Sequence, residues 1–128
     1  MIDLKKVRLC ANHYVDGVLD DGKLVEFKVK IPNNMDKLMH LIVAMANTNG
    51  GLIIFGVDER TMSVVGILGD YEQQMHKIAT GIKRLSVGIT YSLIHETINE
   101  RNVITLEIKK SESTSYFSRI ETTPARQI

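Results

Sequence analysis

The 128-residue chain has no tryptophan, a single cysteine at Cys10 and two prolines, Pro32 and Pro124. One cysteine excludes an internal disulfide and a thiolate metal cluster. Cys10 also has no identifiable base partner, so a nucleophilic role does not follow from it. Charge of one sign is lacking too: the net charge is +1, which gives no global pull toward nucleic acid or membrane, so an anionic partner must be met by a local patch. No apolar run approaches the roughly 20 residues of a membrane helix. The opening Met1-Ile2-Asp3-Leu4-Lys5-Lys6 lacks the apolar stretch of a signal peptide, so the expected setting is the reducing cytoplasm, with no membrane partner. Neither G-x-x-x-x-G-K-[ST] nor G-x-G-x-x-G occurs, which leaves ATP binding unsupported. His13, His40, His76 and His95 show no metal-ligand spacing.

What is present is the composition of a globular protein, 44% hydrophobic and 24% charged, with one domain's worth of chain over residues 1–128. Residues 1–22 specify little beyond the turn signal Asp20-Asp21-Gly22, and residues 121–128 form a weakly specified tail. From Lys23 onward, Val25, Phe27 and Val29 alternate with Glu26, Lys28 and Lys30, which predicts a strand with one buried and one polar face. Pro32 ends it, and Asn33-Asn34 offers an N-cap for a helix opening at Met35-Asp36. That helix is apolar nearly all round, which predicts burial. Gly50-Gly51 stops it, and the apolar run Leu52 to Val57 reads as a central strand covered on both faces. Val64 to Ile67 reads as a short partner strand. A second helix is expected from Gly69-Asp70, with Tyr71, Met75, Ile78, Ala79, Ile82 and Leu85 along one stripe. Strands follow near 90–98 and 103–109, turning through Asn99 to Asn102, and Tyr116 to Ile120 offers a last short one. The expected fold class is α+β, a mixed β-sheet with two main helices in the order β-α-β-β-α-β-β.

The glycine pair in "AMANTNGGLIIFGVDE" raises the question of a phosphate cradle. Phosphate loops run strand, glycines, helix, so that a helix N-terminus meets the anion. Here the order is helix, glycines, strand, and a C-cap before a core strand accounts for both residues. A better anion candidate is Lys28 to Asp36, which runs from a strand into a helix N-terminus and carries Lys28, Lys30 and Asn34. Lys83-Arg84 and Lys109-Lys110 extend the set of candidate phosphate contacts, the alternative being solvated rims. Asp21, Glu26 and Asp58 bracket the first strands. If Glu26 and Asp58 converge, they would bind Mg²⁺ or Mn²⁺ and a water activated there could cleave a phosphodiester; the alternative is ordinary solvated strand ends.

Taken together, "VEFKVKIP", "IVAMANTNGG", "LIIFGVDE" and "VVGI" resemble the Schlafen AlbA_2 domain, also called the divergent AAA-4 domain. The pattern is an acid five residues before E-F-K, then A-F-A-N-T-x-G-G, a buried strand ending G-V-D-D, and V-x-G. Asp21, Glu26-Phe27-Lys28, Asn47, Gly50, Gly51, Gly56, Asp58 and Gly66 match it, over about residues 20 to 120, and "SYFSR" at 115–119 is similar to the segment before the family's last strand. The resemblance implies an Alba-like/Schlafen core and a nucleic-acid-associated domain, in bacteria often at the N-terminus of transcriptional regulators. It also implies that Asp21, Glu26 and Asp58 occupy the positions of the three acids of a metal-dependent RNase in animal Schlafens. The first is Asp where that pattern has Glu, and "TTPARQI" lacks the Arg-x-Gly-Ser signature of many relatives. The leading expectation is a regulatory module binding DNA or RNA. The alternatives are a metal-dependent endoribonuclease and a ligand-free interaction module, which could be a homodimer.

Overall fold

The computed structural model of the protein describes residues 23–111 with the exception of Met62. Asp21, Cys10, His13 and the candidate strand at 116–120 lie outside the described residues. Strand β1 (Leu24–Lys28) forms where alternation buries Val25 and Phe27. The strand stops two residues short of the alternating pattern, and Val29 is 51% exposed rather than inward. The reason lies in its partner. Lys28 is the last β1 residue in register with β2, and the Gly56 N–H takes the Lys28 carbonyl at 2.7 Å as the chain turns away.

Helix α1 (Asp36–Ala46) starts where expected, with the Asn34 side-chain oxygen accepting from the Asp36 N–H at 2.8 Å. Leu38, Met39, Ile42, Val43, Met45 and Ala46 are buried, whereas Asp36, Lys37, His40 and Ala44 are exposed. The helix therefore has a solvent face that its apolar composition conceals. It ends at Asn47, and Gly50, at φ +80°, donates its N–H to the Met45 carbonyl at 2.8 Å. A Cβ at Gly50 would lie 2.6 Å from the Ile108 carbonyl oxygen, so glycine is required there on two counts.

Strand β2 (Gly51–Phe55) is buried at every position. Full burial of Ile53, Ile54 and Phe55 is worth about 1.5–3 kcal/mol for each side chain. Gly56, at φ +104°, breaks the run. The expected strand over 52–57 is thus two, β2 and the short β3 (Val57–Asp58), which pairs antiparallel with β4 (Ser63–Val64). Helix α2 (Tyr71–Lys83) opens on Asp70, whose carboxylate accepts from the Glu72 and Gln73 N–H groups at 2.9 and 3.3 Å. Strands β5 (Tyr91–Ile98) and β6 (Arg101–Ile108) form a hairpin. Its turn is tighter than the one read from the sequence. Asn99 and Glu100 alone make it, both at positive φ (51° and 63°), the twist that two-residue hairpin loops prefer.

The main sheet has the order β1-β2-β6-β5, with β1 parallel to β2 and the other pairs antiparallel. Both helices pack on one face, over Ile53, Phe55, Ile104, Leu106 and Ile108. The other face, built from Val25, Phe27, Leu52, Ile54 and Val103, receives Val57 of the β3–β4 ribbon. The architecture is α+β as expected, with one strand, β3, added to the expected order by the break at Gly56. Helix α1 leaves β1 at the Lys28 end of the sheet and runs back to deliver the chain to Gly51. Helix α2 starts at that same end, since Tyr71 stacks on His95 (ring centroids 3.6 Å apart), which pairs with Ile104 opposite Phe55. The helices therefore run side by side in the same direction. No helix among the described residues is long and apolar enough to cross a membrane.

Candidate functional site

The end of the sheet where β1 stops and α1 begins holds a cavity of about 310 Å³, lined by Lys28, Pro32, Asn34, Lys37, Leu38 and Leu41. Strand alternation puts Lys28 on the helix side of β1, beside α1. The chain leaves the sheet after Lys28, and Pro32 lies on the segment that leads into the helix. Lys37, in the first turn, lines the same cavity as Lys28, together with Leu38 and Leu41. Neither lysine forms an ion pair among the described residues. The Asn34 oxygen is occupied by the Asp36 N–H, which leaves its amide N–H₂ as a donor. Two lysines, an amide donor and a helix N-terminus thus border one cavity, a combination suited to a phosphate oxygen. Lys30 is exposed on the segment leading into the helix. Sequence reasoning located Lys28 and Asn34 here but missed Lys37, whose charged position in a helix reads as an ordinary solvated face.

The remaining basic candidates stand elsewhere. Lys109 and Lys110 follow β6 beyond Ile108, which pairs with Gly51 at the opposite end of the sheet from Lys28. Lys83 and Arg84 close α2, at the far end from its Tyr71 start. The structure therefore divides the candidate phosphate contacts between two ends of the domain.

Of the acidic candidates, Glu26 is exposed on the helix side of β1, two residues from Lys28. Asp58 belongs to the ribbon under the other face. Its carboxylate is taken up locally: Oδ1 accepts from the Arg60 backbone N–H at 3.0 Å, and Oδ2 lies 3.4 Å from the Arg60 guanidinium. The Arg60 side-chain hydrogen bond, joined by the backbone one, holds the Asp58 carboxyl below its ordinary value. Among the described residues no group of three His, Cys, Asp or Glu is placed to hold a metal ion; Asp21 lies outside them. The motif residues serve the frame. Gly56 and Gly66 both have positive φ, and the Gly66 N–H donates to the Gly56 carbonyl at 2.9 Å. Gly51 sits against the Met45 thioether. The Asn47 amide is buried, and neither its nitrogen nor its oxygen has a hydrogen-bond partner among the described residues.

The model of the Schlafen AlbA_2 family matches residues 21–127, a range that contains these glycines, the helix stop and the strand after it. The chain belongs to the Schlafen AlbA_2 family. Two solved structures share the fold. One is the N-terminal domain of a RecG-related protein from Nitrosomonas europaea, 18% identical with a TM-score of 0.57, covering 85% of this chain and 71% of that one. The other is the DIP2311 protein of Corynebacterium diphtheriae, 21% identical with a TM-score of 0.52 over 87% of this chain. This AlbA_2 domain spans 22% of the Corynebacterium protein's length. No protein of curated function matches it.

Proposed function

We propose that this AlbA_2 domain is a regulatory module that binds nucleic acid through its phosphate backbone. In this reading Lys28 and Lys37 neutralise phosphates at the α1 N-terminus, Asn34 donates to a phosphate oxygen, and Lys30 extends the contact along the strand. The observation that carries the reading is the cavity that Lys28, Asn34 and Lys37 line together. Membership of the Schlafen AlbA_2 family supports it, as does the likeness in fold to a domain of a protein named as related to a DNA helicase. Contacts of this kind fix affinity without reading sequence, so binding to unrelated oligonucleotides should be similar. Fluorescence anisotropy with labelled DNA and RNA tests the reading. Lys28→Ala and Lys37→Ala should each weaken binding by a similar factor on every sequence tried. Binding indifferent to both substitutions, or no binding at low salt, overturns it.

A further inference from the structure

On one side the main sheet ends in β5, and the backbone groups along that edge follow a fixed alternation. Residues that flank a two-residue hairpin loop bond to each other through both backbone groups, and the bonding then alternates along the pair. Ile98 and Arg101 flank the Asn99-Glu100 loop, and at the far end the Lys109 N–H donates to the Thr90 carbonyl at 3.0 Å. The even-numbered residues of β5 therefore turn their N–H and C=O groups to β6. Tyr91, Leu93, His95 and Thr97 turn theirs outward, and nothing among the described residues is hydrogen-bonded to these groups. Natural edges are guarded by proline, lysine or a bulge. β5 has none of these: YSLIHETI holds neither proline nor lysine, and its register against β6 runs unbroken from Tyr91–Ile108 to Ile98–Arg101. β1, at the other edge, is shorter, and Phe27 in it already has a further interaction. In the middle of β5 sits Ile94, half-buried on the face opposite the helices, an apolar side chain that belongs to neither core cluster.

We propose that β5 pairs antiparallel with β5 of a second copy of this chain, joining two four-stranded sheets into one across a two-fold axis. The alternation selects the register. Outward groups meet outward groups only when odd-numbered residues face each other. All four take part only when Tyr91 faces Thr97 of the second copy and Leu93 faces its His95. That arrangement makes about eight hydrogen bonds, against about six for a slip of two residues either way. It also sets Ile94 against Ile94 of the second copy at the axis, as a non-hydrogen-bonded pair, where side chains approach most closely. Glu96 lies opposite Ser92 of the second copy, so no like charges meet. The pairing goes beyond the phosphate reading and does not rest on it, since Lys28 and its cavity lie at the β1 edge.

The test uses the whole chain. Sedimentation equilibrium from about 1 μM to about 1 mM should show monomer passing into dimer by mass action. On the unsubstituted protein, the same rise in concentration should slow amide exchange at Tyr91, Leu93, His95 and Thr97 by about tenfold or more, a readout independent of whether any variant folds. Ile94→Lys, which would bring two ammonium groups together at the axis, should weaken dimerisation by about tenfold or more. Thr97→Pro, which removes an outward N–H without touching a bond to β6, should do the same, again by about tenfold. In a Cys10→Ser background, Ile94→Cys should form an intermolecular disulfide with oxidised glutathione, since Cα atoms about 4.5 Å apart suit the bond. Ser92→Cys, opposite Glu96, should not. A monomer at about 1 mM, exchange at the four amides that ignores concentration, or a dimer indifferent to both Ile94→Lys and Thr97→Pro overturns the proposal. Cross-linking of Ser92→Cys as readily as Ile94→Cys overturns it too. Protection of the four amides by added oligonucleotide, in protein that stays monomeric, gives the edge to nucleic acid, and the pairing falls. Lys28→Ala should leave dimerisation unchanged, so failure of the pairing and failure of the phosphate reading are read separately.

Discussion

Salt dependence turns the phosphate reading into numbers. Lys28, Lys30 and Lys37 are three cations at one end of the sheet, and each phosphate neutralised contributes a slope of about −0.9 on duplex or about −0.7 on a single strand to log K against log salt. Three contacts then give about −2.7 or about −2.1. Raising salt from about 50 to about 200 mM should weaken binding about 40-fold on duplex and about 20-fold on single strands. Lys28→Ala and Lys37→Ala should each make the slope shallower by one contact, and the double variant by two. The assay is anisotropy at four or five salt concentrations, with both strand forms and both single variants. A double variant that loses affinity at one salt concentration while keeping the original slope would refute the reasoning, because the lost energy would not be counterion release. A slope flattened by Lys109→Ala with Lys110→Ala, at the opposite end of the sheet, but not by the Lys28/Lys37 pair would refute it equally.

Three further outcomes test the frame. Gly50→Ala should destabilise the domain by about 1–3 kcal/mol in thermal unfolding, since it combines positive-φ strain with a clash against the Ile108 carbonyl; Gly88→Ala, whose Cβ would meet nothing within 4 Å among the described residues, should change stability by no more than about 0.5 kcal/mol. Asp70→Ala removes the acceptor of two N-terminal N–H groups of α2, and urea unfolding should show a loss of about 1 kcal/mol. The Asp58 carboxyl is lowered from 3.8 by Arg60, so its contribution to stability is present above 3.8 and is lost as the pH falls through the lowered folded-state value. Arg60→Ala should move the Asp58 titration, followed by carboxyl carbon NMR, back up toward 3.8; an unmoved midpoint would show that Arg60 is not the cause.

Much of the frame is legible from residue pattern, because burial on both faces leaves a continuous apolar run and burial on one face leaves alternation. Leu52 to Phe55 shows the first and Val25 with Phe27 the second. The pattern fails where a single backbone angle decides. Gly56 reads as part of a strand, but its positive φ splits β2 from β3 and sends Asp58 into a separate ribbon. Glu100 carries no turn signal, yet it sits at positive φ beside Asn99 and shortens the hairpin loop. The candidate site is half legible. Lys28 and Asn34 follow from a strand running into a helix N-terminus, whereas Lys37 joins them only once α1 is laid across β1. Nothing in the sequence tells that Lys109 and Lys110 end up at the other end of the sheet, since that depends on β6 inserting beside β2 in the antiparallel sense.

That insertion has a consequence for how the chain is made. β2 lies between a partner that precedes it and one, β6, that follows about 50 residues later. On the ribosome, at about 5–20 residues per second, the run Leu52–Phe55 must wait roughly 3–10 s for Arg101–Ile108 to be synthesised. During that interval one edge of the most apolar strand in the domain has no partner to close it. The β5–β6 hairpin, with its two-residue turn, can form within microseconds of emerging and so arrives as a finished lid. The late half of the domain thus acts as the chaperone of the early half, and the interval before it arrives is the period of greatest aggregation risk during synthesis.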